Sequence, residues 1–92
     1  MTYTCPVCGY DGMPDPPADF EICPCCGTEF GNDDFDATHE ELRARWVAGG
    51  ARWWYTPEAP PAGWDPSEQL RRAGHEDAAR RLEAQRAVTP AV

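Results

Sequence analysis

Four cysteines arranged in two short pairs are the residues of this chain best equipped for chemistry. Cys5-Pro6-Val7-Cys8-Gly9 and Cys23-Pro24-Cys25-Cys26-Gly27 share the form Cys-Pro-x-Cys-Gly, with 14 residues between the pairs. Two sulfurs two residues apart can reach one metal ion at roughly 2.3 Å only if the backbone between them turns sharply. Proline after the first cysteine pre-sets φ for that turn, and glycine after the second accepts the left-handed conformation that follows. Both pairs carry both devices. N–H groups in such a turn also point at the first sulfur and favour its thiolate form. A two-residue gap permits a disulfide as well, but the repeated Pro and Gly would then be coincidence. The pattern predicts Cys5, Cys8, Cys23 and Cys26 as the four ligands of one metal ion.

Cys25, the fifth cysteine, occupies the variable position of the second turn, where a side chain ordinarily points away from the metal. It is expected to be a small surface filler; a substitute ligand or an oxidisable thiol are the sharper alternatives. An odd cysteine count argues against a closed disulfide framework, and no apolar leader precedes the first pair. The expected compartment is a reducing cytoplasm.

Ninety-two residues with 41% hydrophobic content, eight Gly and ten Pro leave little material for a core. A structural metal is the physical remedy for such a chain, since bound zinc can contribute on the order of 10 kcal/mol to folding. The metal-free N-terminal half is therefore expected to be unfolded. Charge is unevenly spread. Residues 1–41 hold ten acidic side chains and no Lys or Arg, whereas residues 42–92 hold six acidic side chains and eight Arg. A cysteine-ligated module that binds nucleic acid needs cations to neutralise phosphates. This one has none, so nucleic acid is not expected as its partner, and nothing in the chain suggests a membrane. An enzyme would need an open coordination position or a nucleophile beside a base. Four cysteines close the shell, and neither His39 nor His75 has a motif around it, so no catalytic residue is predicted.

The elements that position the pairs follow from local signals. Tyr3-Thr4 should lead as a short strand into the first turn. The run Met13-Pro14-Asp15-Pro16-Pro17 reads as a polar loop, Phe20-Glu21-Ile22 as a strand, and Thr28-Glu29-Phe30 as its returning partner. Asn32-Asp33-Asp34-Phe35-Asp36 lacks the spacing of a calcium loop and reads as a solvated turn before a helix. Thr38 with Glu41 is a capping box, Leu42 and Trp46 follow at helical spacing, and Gly49-Gly50 ends the helix. His39 in the first turn should be exposed. Trp53, Trp54, Tyr55 and Trp64 are expected to pack over this helix, or to present an aromatic surface to a partner. Asp65 as N-cap with Pro66 at the first position starts a second helix running to residue 86, Gly74 included. Its apolar face, Leu70, Ala73, Ala78 and Leu82, is thin, and His75 should lie on its polar side.

Residues Cys5-Pro6-Val7-Cys8-Gly9-Tyr10 and Cys23-Pro24-Cys25-Cys26-Gly27 resemble the two metal-binding knuckles of rubredoxins, with a shorter gap, nearer the compact modules attached to rubrerythrins. Thiolate tetrahedra accept zinc or iron, so spacing leaves both open. Zinc is expected, because nothing else in the chain resembles a redox partner. Phe20-Glu21-Ile22-Cys23-Pro24-Cys25-Cys26-Gly27, followed by Glu29-Phe30-Gly31 and Asp33-Asp34, resembles the bacterial cysteine-rich family named for its CPCC motif. The likeness covers about residues 3–55, including Arg43 and Trp46. It implies a metal-binding fold and no catalytic residues. The first pair has Val7 where the second has Cys25, which argues against Cys25 as an essential ligand.

The expected fold is a small α+β metal-stabilised domain, a zinc-ribbon or rubredoxin-like knuckle hairpin followed by two helices. Its parts are a four-cysteine zinc-ribbon-like module over 1–36, a helix with a Trp/Pro-rich segment over 37–64, a C-terminal helix over 65–87 and a tail over 88–92. The expected function is a small metal-binding protein with structural zinc, engaging another protein through its acidic ribbon or its Trp/Arg surface. A rubredoxin-like iron electron carrier is the alternative.

Overall fold

Positive backbone angles decide where the elements of this chain stop. A computed structural model describes residues 1–87; the tail expected at 88–92 lies outside the described residues. The three helices among the described residues are α1 (His39–Ala48), α2 (Pro66–Arg72) and α3 (Glu76–Ala87). At the start of α1, Thr38 Oγ1 accepts from Glu41 N–H at 3.0 Å, and Glu41 Oε1 accepts from Thr38 N–H at 3.0 Å. This reciprocal pair satisfies two donors that a helix start leaves unpaired. Asp65 caps α2 by accepting from Ser67 N–H at 3.0 Å, and Pro66 occupies the first turn.

Both α1 and α2 end in the same motif. Gly50 N–H donates to Val47 O and Ala51 N–H to Trp46 O; Gly74 N–H donates to Arg71 O and His75 N–H to Leu70 O. Gly50 has φ +100 and Gly74 φ +87, left-handed values that a residue with a Cβ resists. The single C-terminal helix expected over 65–87 is therefore corrected to two. Gly74 closes α2 and turns the chain, and α3 packs back on both α2 and α1.

The strands expected around the cysteine pairs do not form either. Among the described residues pairing is limited to isolated bridges, Tyr3 with Met13 and Ile22 with Glu29, both antiparallel. Prolines at 14, 16 and 17 supply no N–H to extend the first. Asp19 (φ 53) and Phe20 (φ 64) are left-handed, so the chain before Ile22 is not extended and the second bridge has nowhere to grow.

Two buried clusters hold the molecule. The first contains Cys5, Val7, Cys8, Met13, Cys23, Cys25 and Phe30, covered by Tyr10, Leu42, Trp53 and Trp64 among others. The second joins the helices through Val47, Ala51, Leu70, Ala78, Ala79 and Leu82. Trp46 packs against both. The thin face of the C-terminal segment is thus docked: Leu70, Ala79 and Leu82 are fully buried. On the outside, Arg71 grips Glu76 at 2.8 Å and Glu83 through both carboxylate oxygens, tying α2 to α3. No helix among the described residues is long and apolar enough to cross a membrane.

Candidate metal centre

The two cysteine turns are closed by equivalent backbone hydrogen bonds. Gly9 N–H donates to Cys5 O at 2.9 Å and Gly27 N–H to Cys23 O at 2.8 Å. Cys5 N–H donates to Tyr10 O and Cys23 N–H to Thr28 O, closing each turn from outside. Gly9 (φ +85) and Gly27 (φ +78) take the left-handed angle the turn requires. Each glycine is also a point of contact. A Cβ at Gly9 would lie 2.5 Å from Ala73 Cβ, and one at Gly27 would lie 2.5 Å from the Trp54 ring. The end of α2 thus rests on the first turn, and an indole rests on the second.

These turns bring four sulfurs together. The Sγ atoms of Cys5, Cys8, Cys23 and Cys26 all lie within 4.8 Å of one another. Cys5 to Cys26 and Cys8 to Cys23 are each 3.8 Å. A tetrahedron with metal–sulfur bonds of roughly 2.3 Å has edges of about 3.8 Å. A disulfide would need about 2.05 Å, and all five cysteines are free thiols. The four cysteines are positioned to hold a metal ion, and either zinc or iron fits the sulfur set.

Among the sulfurs themselves, protons are shared unequally. Hydrogen bonding with Cys23 pushes the Cys8 thiol far above its ordinary range, and hydrogen bonding with Cys26 does the same to Cys23. Cys26 and Cys5 are pulled down, both chiefly by hydrogen bonding with Cys23. A divalent cation entering the site must displace the protons that these thiols hold. Val7 N–H points at Cys5 Sγ at 3.4 Å, and Cys26 Sγ lies 3.2 Å from Thr28 Oγ1.

The helices and the Trp-rich segment hold these turns by their carbonyls. Arg43 on α1 donates from Nε to Val7 O at 2.7 Å and from Nη2 to Pro6 O at 2.9 Å. Gln69 on α2, only 6% exposed, donates from Nε2 to Cys8 O at 3.0 Å and accepts from the Trp64 indole N–H at 2.8 Å. In the second turn the acceptors face another partner: Tyr55 N–H donates to Pro24 O and Trp54 N–H to Cys25 O, both at 2.9 Å. Every carbonyl from Pro6 to Cys8 is thus held by a side chain from a helix. The sequence alone assigns no such role to Arg43 or Gln69, because their partners lie 36 to 61 residues away.

Cys25 is not at the surface. It is fully buried, as is Val7 at the equivalent position of the first turn. Both side chains point into the core, where a free cysteine acts as a small hydrophobe. Its Sγ lies 3.4 Å from Gln69 Nε2, and it belongs to no part of the sulfur tetrad. Burial also removes the access that an oxidisable thiol needs. His39 is half-buried rather than exposed: it meets Asp34 Oδ2 at 3.0 Å and lies edge-on to Phe30. The acidic run is an organised turn, with Asp33 accepting from Glu29 N–H and Asp34 from Gly31 N–H. The hydrogen bond with His39 holds the Asp34 carboxyl below its usual range.

Comparison with known proteins adds one relative. The uncharacterized protein YoaQ of Bacillus subtilis (strain 168) is 45% identical over 42 residues, 37% of this chain and 36% of that protein. The chain thus spans little more than a third of that relative's length. No protein-family model matches the chain, and no solved structure matches it.

Proposed function

We propose that this chain is a small zinc-ribbon-like protein in which one zinc ion on Cys5, Cys8, Cys23 and Cys26 is structural, and whose task is to bind another protein. One observation carries the reading: two sulfur pairs at 3.8 Å, the edge of a tetrahedral tetrathiolate shell. Four protein ligands leave no open position for substrate, so the reading is non-catalytic. The likeness to the CPCC family belongs to the same reading, as does the uneven charge that disfavours nucleic acid.

Iron is the second reading, because the same edge suits an iron tetrathiolate and Cys26 is the one ligand not wholly buried. An electron would have its shortest way out there. Metal analysis of protein taken from its native cells, with a visible spectrum, tests both. About one zinc per chain and a colourless sample supports the structural reading. Stoichiometric iron with thiolate-to-iron absorption replaces it with the electron carrier. A folded protein without metal overturns both.

A further inference from the structure

Beside the second cysteine turn lies a groove of about 520 Å³. Tyr10, Trp53, Trp54 and Tyr55 line it, together with Glu21 and Glu58. Among the described residues, no Lys, Arg or His lines it. Its volume falls within the range of roughly 300–1,000 Å³ typical of concave ligand sites.

The aromatic lining is fixed in place. The Trp53 indole N–H donates to Tyr55 O at 3.0 Å and to Glu58 O at 2.9 Å. Tyr10 meets Trp53 edge-on with ring centroids 5.2 Å apart, and Trp54 stacks on Tyr55 at 6.3 Å. The backbones of Trp54 and Tyr55 are bonded to the second turn. Yet Trp54 is 50% exposed, Tyr55 38% and the neighbouring Ile22 41%. Of the four indole N–H groups, those of Trp46, Trp53 and Trp64 have acceptors within the chain; that of Trp54 has none among the described residues. A rigid, exposed aromatic face loses little freedom on binding, which favours affinity.

Resting on the interaction reading above, we infer that this groove binds an extended, proline-rich segment of another protein that carries an arginine. Three features select that occupant. Flat aromatic faces, stacked at Trp54 and Tyr55 and edge-on at Tyr10 and Trp53, match the proline rings of a polyproline II segment, a conformation that is already ordered before binding. Glu21 and Glu58 call for a cation and repel an anion. Residues 1–41, which supply the wall that includes Glu21, carry ten acidic side chains and no Lys or Arg. Arginine also stacks on Trp and Tyr faces. A second copy of this chain suits the groove poorly: its own proline-rich stretch, Thr56 to Gly63, carries Glu58 and no basic residue.

The test uses the full metal-loaded chain and three synthetic peptides: a proline-rich peptide with arginines, the same peptide with glutamates in their place, and a proline-free arginine peptide. Binding is followed by tryptophan fluorescence and by amide shifts in NMR spectra. The first peptide should bind, with shifts confined to Tyr10, Ile22 and residues 53–58, and about tenfold tighter than either other peptide. The variant Glu21→Gln/Glu58→Gln should bind the first peptide about tenfold more weakly. Tyr55→Ala should weaken it as well, both variants keeping full metal content. No binding, equal binding of the glutamate peptide, shifts outside the groove, or a concentration-dependent dimer filling it would each overturn the inference. The interaction reading fails on a separate measurement, when metal-loaded wild type cross-linked in its native cells retains no partner at any surface.

Discussion

Arg43 offers the sharpest test of how the helices sustain the metal centre. Its guanidinium holds the carbonyls of Val7 and Pro6 at 2.7 and 2.9 Å, in a partly buried setting. A hydrogen bond from a charged donor contributes about 1.5–3 kcal/mol, with a partly exposed site at the lower end. Arg43→Met keeps the aliphatic stem and removes both bonds, a loss of about 3 kcal/mol. Where folding and metal binding are coupled, stability lost by the folded state is affinity lost by the ion. At 1.4 kcal/mol per tenfold, the variant should bind zinc about 150-fold more weakly. Arg43→Lys, able to make one of the two bonds, should lose about half of that free energy. Competition against a chromophoric chelator reads both numbers. Arg45→Ala, an exposed neighbour on the same helix, is the control and should change affinity less than about threefold. If Arg43→Met matches that control, the carbonyl clamp contributes nothing and the argument is wrong.

The cysteines divide by role. Cys23→Ser should abolish stoichiometric metal binding, while Cys25→Ser should keep one ion per chain and lose about 1 kcal/mol in urea unfolding, from a hydroxyl placed in an apolar core beside Gln69. Equal metal loss in both would refute the ligand set. Gly27→Ala meets both a left-handed φ of +78 and the Trp54 ring, whereas Gly63→Ala meets φ +72 with nothing within 4 Å. Gly63→Ala should therefore cost about 1–2 kcal/mol, and Gly27→Ala clearly more, with a red shift in tryptophan emission; equal costs would show that Trp54 does not rest on the turn. Burial, and then the charge of Arg43, lower the pKa of His75. Its neutral form is thus favoured by folding, and the stability it contributes is complete above about pH 6.5, the unfolded value, and lost as pH falls through the folded value. Melting temperature measured downward from pH 7.5 should drop less steeply in His75→Gln than in wild type. Parallel slopes would remove His75 from the account.

What could be read from the sequence was local. The cysteine turns, the capping box at Thr38 and Glu41, the glycine stop at 49–50 and the Asp65-Pro66 start all depend on neighbours within about one turn, and all appear as expected. The break at Gly74 was legible too: Arg71 and Arg72 before it and Glu76 and Asp77 after it are the charges of a helix end and a helix start. The apolar spacing on either side hid it. Cys25 was misplaced because it is buried among residues distant in sequence, Gln69 among them, 44 residues away. Strand patterning around Ile22 was sound in side-chain type, but Asp19 and Phe20 take left-handed angles that no propensity assigns to Phe.

Three of the four sulfurs in the tetrad are buried, and Cys26 is the exception. A chelator or an apo-acceptor protein competing for the ion therefore meets one ligand before the others. Exchange kinetics should be governed by attack at that corner, second order in the competitor, while the remaining three bonds wait their turn. Thermodynamic grip and speed of release then become separately adjustable: Thr28, beside the part-buried Cys26 sulfur, can set the rate while Arg43 and Gln69, behind the opposite turn, set the strength.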